Sequence, residues 1–186
     1  SDLTLNGEGT LTIQAPAGHG VVSKDDLVLA GGEYAVTAES HGFSANDSIR
    51  IAGGTFTVQS GKDGFQAEND EDAELGFLYI AGGSFRVTAG GDGLSAGSYL
   101  QVEDGEFDIT AGGGSGEAVQ QSGGWGGWGQ SSAAEEDTPS TKGLKAVTSL
   151  EVNGGSFAIN TLDDALHSNG DLTVNAGSFQ IATGGG

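Results

Sequence analysis

Apolar residues one position apart recur along the chain as Leu3/Leu5, Leu27/Leu29, Ile49/Ile51, Leu78/Ile80, Leu100/Val102, Leu150/Val152 and Leu172/Val174. A second pair follows each of these: Leu11/Ile13, Tyr34/Val36, Phe56/Val58, Phe85/Val87, Phe107/Ile109, Phe157/Ile159 and Phe179/Ile181. Period two within a pair predicts a strand with both apolar side chains on one face. A third strand is predicted where a small residue precedes an apolar one, at Gly20-Val21, Gly42-Phe43, Gly64-Phe65, Gly93-Leu94, Gly143-Leu144 and Ala165-Leu166. Leu29 to Ile51, Ile80 to Val102 and Val152 to Val174 are each separated by 22 residues, too long for nonapeptide repeats and too short for helical ones. The expected fold is therefore all-β: a parallel β-helix of the right-handed kind, about seven coils of three short strands each.

Between the first two strands of each coil lies a glycine, at Gly32, Gly54, Gly83, Gly105, Gly155 and Gly177. The chain must turn there within three residues, which favours a positive φ. With coils about 4.8 Å apart, seven coils make a rod on the order of 34 Å long, its interior filled by a ladder from Phe56 to Phe179. One domain is expected over 1–186, with two excursions that interrupt the period. The first, at about 68–76, carries the acidic run Glu68-Asn69-Asp70-Glu71-Asp72; the second, at about 112–141, is rich in Gly and Ser and holds Trp125 and Trp128. Excursions from a solenoid gather on its faces and often carry function. Gly186 follows the second strand of its coil without a polar cap, so the chain is expected to be part of a longer solenoid or to self-associate through uncapped coil ends.

Composition narrows the partners. Asp and Glu number 26 against 6 Lys and Arg, a formal net charge of −20, which argues against nucleic acid and anionic membrane surfaces. No apolar run approaches a membrane span, so no membrane insertion is expected. Ser1 to Leu5 already read as strand, so any signal peptide is expected to have been removed. Cysteine is absent, which removes disulfides and thiolate ligands and leaves the compartment open.

The repeat also aligns side chains. The position before the third strand holds His19, His41, Asp63, Asp92, Lys142 and Asp164 in successive coils. Asp63 and Asp92 would be adjacent carboxylates, unfavourable unless a cation lies between them or one proton stays bound. Lys142 would fall between Asp92 and Asp164 and relieve charge there without a metal. A second column brings Asp25 close to Asp47. With Asp163 and the excursion acids, these are oxygen-only groups of the kind Ca²⁺ prefers; the alternative is a solvated acidic surface. His19 and His41 lack a third ligand and read as outward hydrogen-bonding groups. Trp125 and Trp128 offer aromatic faces to a pyranose or fold back over a strand edge.

An enzyme has less support. Polysaccharide lyase chemistry needs a base beside a positive charge, yet the only arginines are Arg50 and Arg86, in different strands, and Arg86 lies one coil from Asp108, its expected partner. For a hydrolase, no single pair of carboxylates stands out.

The stretches Ser23-Lys-Asp-Asp-Leu27, Glu68-Asn-Asp-Glu-Asp-Ala73, Gly90-Gly-Asp-Gly-Leu94, Thr141-Lys-Gly-Leu-Lys-Ala146 and Asp163-Asp-Ala-Leu-His-Ser-Asn169, in this order, resemble the clostridial-type carbohydrate-binding parallel β-helix family, pectate-lyase-like in fold. The resemblance runs over the whole chain. It implies a secreted or cell-surface protein that binds acidic polysaccharide of the polygalacturonate type, with Ca²⁺ held by Asp63, Asp92, Asp163 and Asp164 and by Asp70 and Asp72, and with no established catalysis. The chain departs from the aspartate-rich pattern at His19, His41 and Lys142. A −20 protein repels a polyuronate, so attraction requires bridging Ca²⁺ or a local patch such as Lys142, Lys145 and the tryptophan loop. The other readings are a calcium-stiffened stalk or adhesin segment, and a polysaccharide lyase.

Overall fold

The structure, a computed structural model, describes residues 1–69, 71–116 and 140–185. The first strands of successive coils, Leu3–Leu5, Asp26–Leu29, Ser48–Ile51, Phe77–Ile80, Tyr99–Val102, Ser149–Val152 and Asp171–Val174, stack in chain order into one parallel sheet. The second strands, from Thr10–Ala15 to Ser178–Thr183, make a second sheet of seven. The third strands, from Val21–Ser23 to Leu166–Ser168, make a third of six. Each strand pairs in parallel with its counterpart one coil away, so the described residues form the expected three-strand parallel β-helix and contain no helix.

In-register stacking turns the sequence repeat into ladders. Tyr34, Phe56, Phe85, Phe107, Phe157 and Phe179 stack face to face along the interior, with centroids 4.6 to 4.9 Å apart. Phe43 and Phe65 stack on each other and meet Phe56 edge-on, and offset or edge contacts of this kind add about 0.5–1.5 kcal/mol each beyond burial. Leu, Ile and Val from the first strands close the core opposite them. All six bend glycines have positive φ, from 102° at Gly155 to 138° at Gly105, a region that costs a side chain.

The glycines before the third strand serve differently. A Cβ on Gly42, Gly64 or Gly93 would sit 2.6 Å from the carbonyl oxygen of the equivalent glycine one coil on. Close approach of backbone, not φ, excludes a side chain. At Ala165, just before the last third strand of the described residues, the position carries a methyl.

Candidate functional site

The tight approach at these glycines stacks the residue before each of them. Gly42 N–H donates to Asp63 O at 3.0 Å, Gly64 to Asp92 O at 2.9 Å, Gly93 to Lys142 O at 2.8 Å and Gly143 to Asp164 O at 3.0 Å. His19, His41, Asp63, Asp92, Lys142 and Asp164 therefore form one column along the solenoid. Within it, three side chains reach the backbone of the next coil. Asp63 N–H donates to His41 Nδ1 at 3.2 Å, Asp92 N–H to Asp63 Oδ1 at 2.7 Å, and Lys142 N–H to Asp92 Oδ1 at 2.7 Å. A carboxylate accepting a backbone N–H gains a charge-assisted bond, which is how adjacent Asp63 and Asp92 are tolerated.

Charge in the column is balanced by side chains from neighbouring positions. Asp92 is 1 % exposed, and its second oxygen lies 3.2 Å from Lys145 Nζ. Lys142 Nζ meets Asp163 Oδ2 at 2.5 Å, and this hydrogen bond holds the Asp163 carboxyl below the usual carboxylate range. Asp164 Oδ2 faces His167 Nδ1 at 2.9 Å. The expectation that the Lys142 side chain would sit between Asp92 and Asp164 is thus corrected: its backbone satisfies Asp92 while its ammonium turns to Asp163. His19 and His41 stack with centroids 5.1 Å apart. Desolvation of the stacked ring, then the proximity of His41 and Lys62, pushes the His19 imidazole below its ordinary value. Because His41 Nδ1 accepts a backbone proton, the neutral ring carries its own proton on Nε2.

Beside this column runs a groove of about 500 Å³ along coils two to five, lined among others by His41, Lys62, Gln66, Asp92, Ser95 and Lys145. The third strands build its floor. Their outward positions are in register, Ser44 with Gln66, Gln66 with Ser95, and Ser95 with Lys145, so a row of hydrogen-bonding groups faces solvent at one-coil spacing. Gln66 Nε2 donates to Glu68 Oε2 at 2.6 Å. Lys62 is exposed and forms no ion pair among the described residues.

A family described as carbohydrate-binding domain-containing protein matches residues 1–186. The chain belongs to that family. No curated protein and no solved structure matches it. The groove is accordingly the candidate sugar site of a carbohydrate-binding domain, and its polar, open floor suits a hydroxyl-rich ligand.

Not every residue singled out in the sequence reaches this domain's groove. Lys145 and the column carboxylates Asp63 and Asp92 line it; Lys142, in the same coil as Lys145, turns its ammonium to Asp163 instead. Gln66 and Ser95 carry no motif, and only their register with Lys145 reveals them; Lys62, stacked between Ser40 and Gly91, carries none either. Asp25 and Asp47 stack through Asp47 N–H and Asp25 O at 3.1 Å, in an acidic cavity of about 310 Å³ with Glu68, Asn69 and Glu71. Asn69 closes the first excursion, donating to Asp47 Oδ1 at 2.8 Å and accepting Asp72 N–H at 2.8 Å. Asp70, Trp125 and Trp128 lie outside the described residues. Among the described residues no three Asp, Glu or His side chains converge as a metal site. A resident Ca²⁺ takes six to eight oxygens, whereas Asp63, Asp92, Asp163 and Asp164 are each engaged by a protein donor or a facing cation. Those four do not fit a resident calcium ion. Arg86 pairs with Asp108 at 3.6 Å, as its register suggests.

Proposed function

We propose that this domain binds acidic polysaccharide of the polygalacturonate type outside the cell, lying along the third-sheet groove. The observation that carries this reading is the gathering of lysines. Of four lysines on a molecule of net charge −20, Lys62 and Lys145 line the groove and Lys142 sits in the adjoining column, in the same coil as Lys145. Lys62 and Lys145 offset part of the charge of Asp63, Glu68 and Asp92 in the groove, and Lys62, with no ion pair among the described residues, has its charge free for a uronate. Ca²⁺ enters as a bridge between sugar carboxylates and the acidic cavity of Asp25, Asp47, Glu68 and Glu71 beside the groove. Hydroxyls of the sugar meet Gln66 and Ser95.

Calorimetric titration with oligogalacturonate tests this. Lys62→Ala is expected to weaken binding about tenfold, the worth of one charge-assisted contact, and Lys62→Glu to weaken it further. Exhaustive chelation is expected to lower affinity in both the native protein and the Lys62 variants. Equal binding by native protein and Lys62→Glu would remove the acidic reading, and indifference to chelation would remove the calcium bridge.

A further inference from the structure

The first sheet presents a second surface that the groove does not use. In the strands Phe77–Ile80 and Tyr99–Val102, Leu78, Ile80, Leu100 and Val102 fill the core with no exposure, so alternation sends Phe77, Tyr79, Tyr99 and Gln101 outward. Phe77 and Tyr99 stack at 4.5 Å with planes 9° apart, and the Arg50 guanidinium lies over Phe77 at 5.0 Å. Phe77 is thus covered on both sides. Among the described residues, Tyr99 is covered on one. The next residue in its column is Ser149, followed by Asp171, and neither is large enough to cap the ring.

A polar network runs from Gln101, two residues from Tyr99 on the same face, to the far end of these strands. Gln101 Nε2 donates to Glu103 Oε1 at 2.5 Å, Asn153 Nδ2 to Glu103 Oε2 at 3.2 Å, and Asn175 Nδ2 to Asn153 Oδ1 at 2.7 Å. Glu151 lies in register with Gln101, one coil on. An uncapped aromatic face beside amides and carboxylates is what a pyranose requires: its apolar C–H face stacks on the ring and its rim hydroxyls bond to the polar groups. The charges choose the sugar. Asp171, two coils on in the ring's own column, and Glu151, one coil on beside it, offer acceptors for hydroxyl protons and repel a uronate, while Arg50 is held on the far side of Phe77.

We infer that the open face of Tyr99 is a second carbohydrate site, specific for a neutral pyranose within an oligosaccharide. It is independent of the acidic-polysaccharide reading of the groove. The test is a titration of protein carrying ¹³C-labelled tyrosine rings with neutral β-1,4-linked hexamers of glucose, xylose and galactose, each followed by NMR up to about 10 mM, the weak end of specific binding. At least one hexamer is expected to shift the Tyr99 ring signals saturably. Tyr99→Phe should retain that binding, because the ring and not the hydroxyl supplies the platform, and Tyr99→Ala should lose it. Ser149→Tyr, which caps the platform with the protein's own ring and leaves Tyr99 in place, should also lose it. Lys62→Ala should leave it unchanged. No saturable shift with any of the three hexamers, or full binding by Ser149→Tyr, overturns the inference.

Discussion

Asp92 shows how much one buried carboxylate depends on where its partners come from. Its two oxygens are taken by the Lys142 N–H and the Lys145 ammonium. Lys145→Ala leaves a nearly inaccessible charge without its counter-ion, at an expected cost of about 2–3 kcal/mol. Asp92→Asn keeps an acceptor for the Lys142 N–H and removes the charge, so the Lys145→Ala penalty should largely vanish in the Asp92→Asn background. Urea denaturation of the four proteins measures that coupling, and equal penalties in both backgrounds would show that the pair does not hold the column. His19 gives the column a pH response. Its folded-state pKa is lowered from 6.5, so the unfolded chain binds the proton more readily and stability falls as pH drops below 6.5. Denaturation midpoints at about pH 7.5 and 5.5 should differ in that direction, and His19→Gln should reduce the difference. His41, Lys62 and Asp63 share this surface and remain in place in the variant.

At the scale of the strand, the sequence was most legible where it repeats. Coil length, strand positions, bend glycines and the Phe56-to-Phe179 ladder all follow from period two inside a period of 22, because a parallel in-register stack makes every coil report on the same position. The column of His19, His41, Asp63, Asp92, Lys142 and Asp164 was legible for the same reason. Its bonding was not. Spacing places Asp63 beside Asp92 but cannot say that Asp63 Oδ1 meets a backbone N–H, and the outward swing of Lys145 toward Asp92 depends on a side-chain rotamer. Phe77 and Tyr79 were hidden differently: Phe77-Leu78-Tyr79-Ile80 is apolar throughout, so alternation gives no sign that two of the four face out. The glycines before the third strand make an element-level prediction. Gly64→Ala should cost about 3 kcal/mol, since the new methyl meets a carbonyl that cannot move without its whole coil. Gly53→Ala, with nothing within 4 Å, should be neutral or slightly stabilising in the same melts.

Across the whole molecule, three faces divide the surface by chemistry. The third sheet gathers lysines beside a column of satisfied acids, the first carries the stacked Phe77 and Tyr99 under Arg50, and the second presents Thr55, Thr57, Ser84, Ser156 and Ser178 around the Arg86 and Asp108 pair. Such separation is natural to a solenoid, because each sheet repeats its own outward positions.

The interior stack of rings sets a fixed graduation along the rod, 4.6 to 4.9 Å per coil. Every outward row inherits that graduation, so a polymer laid lengthwise is compared with it as one scale of a vernier is compared with the other. A chain whose monomer repeat matches meets an equivalent group at each coil and gains with every added unit. A chain with a different repeat drifts out of phase after a few units, and further length adds nothing. A polymer held lengthwise on this rod would thus be favoured by a period that matches the spacing backbone pairing gives the coils.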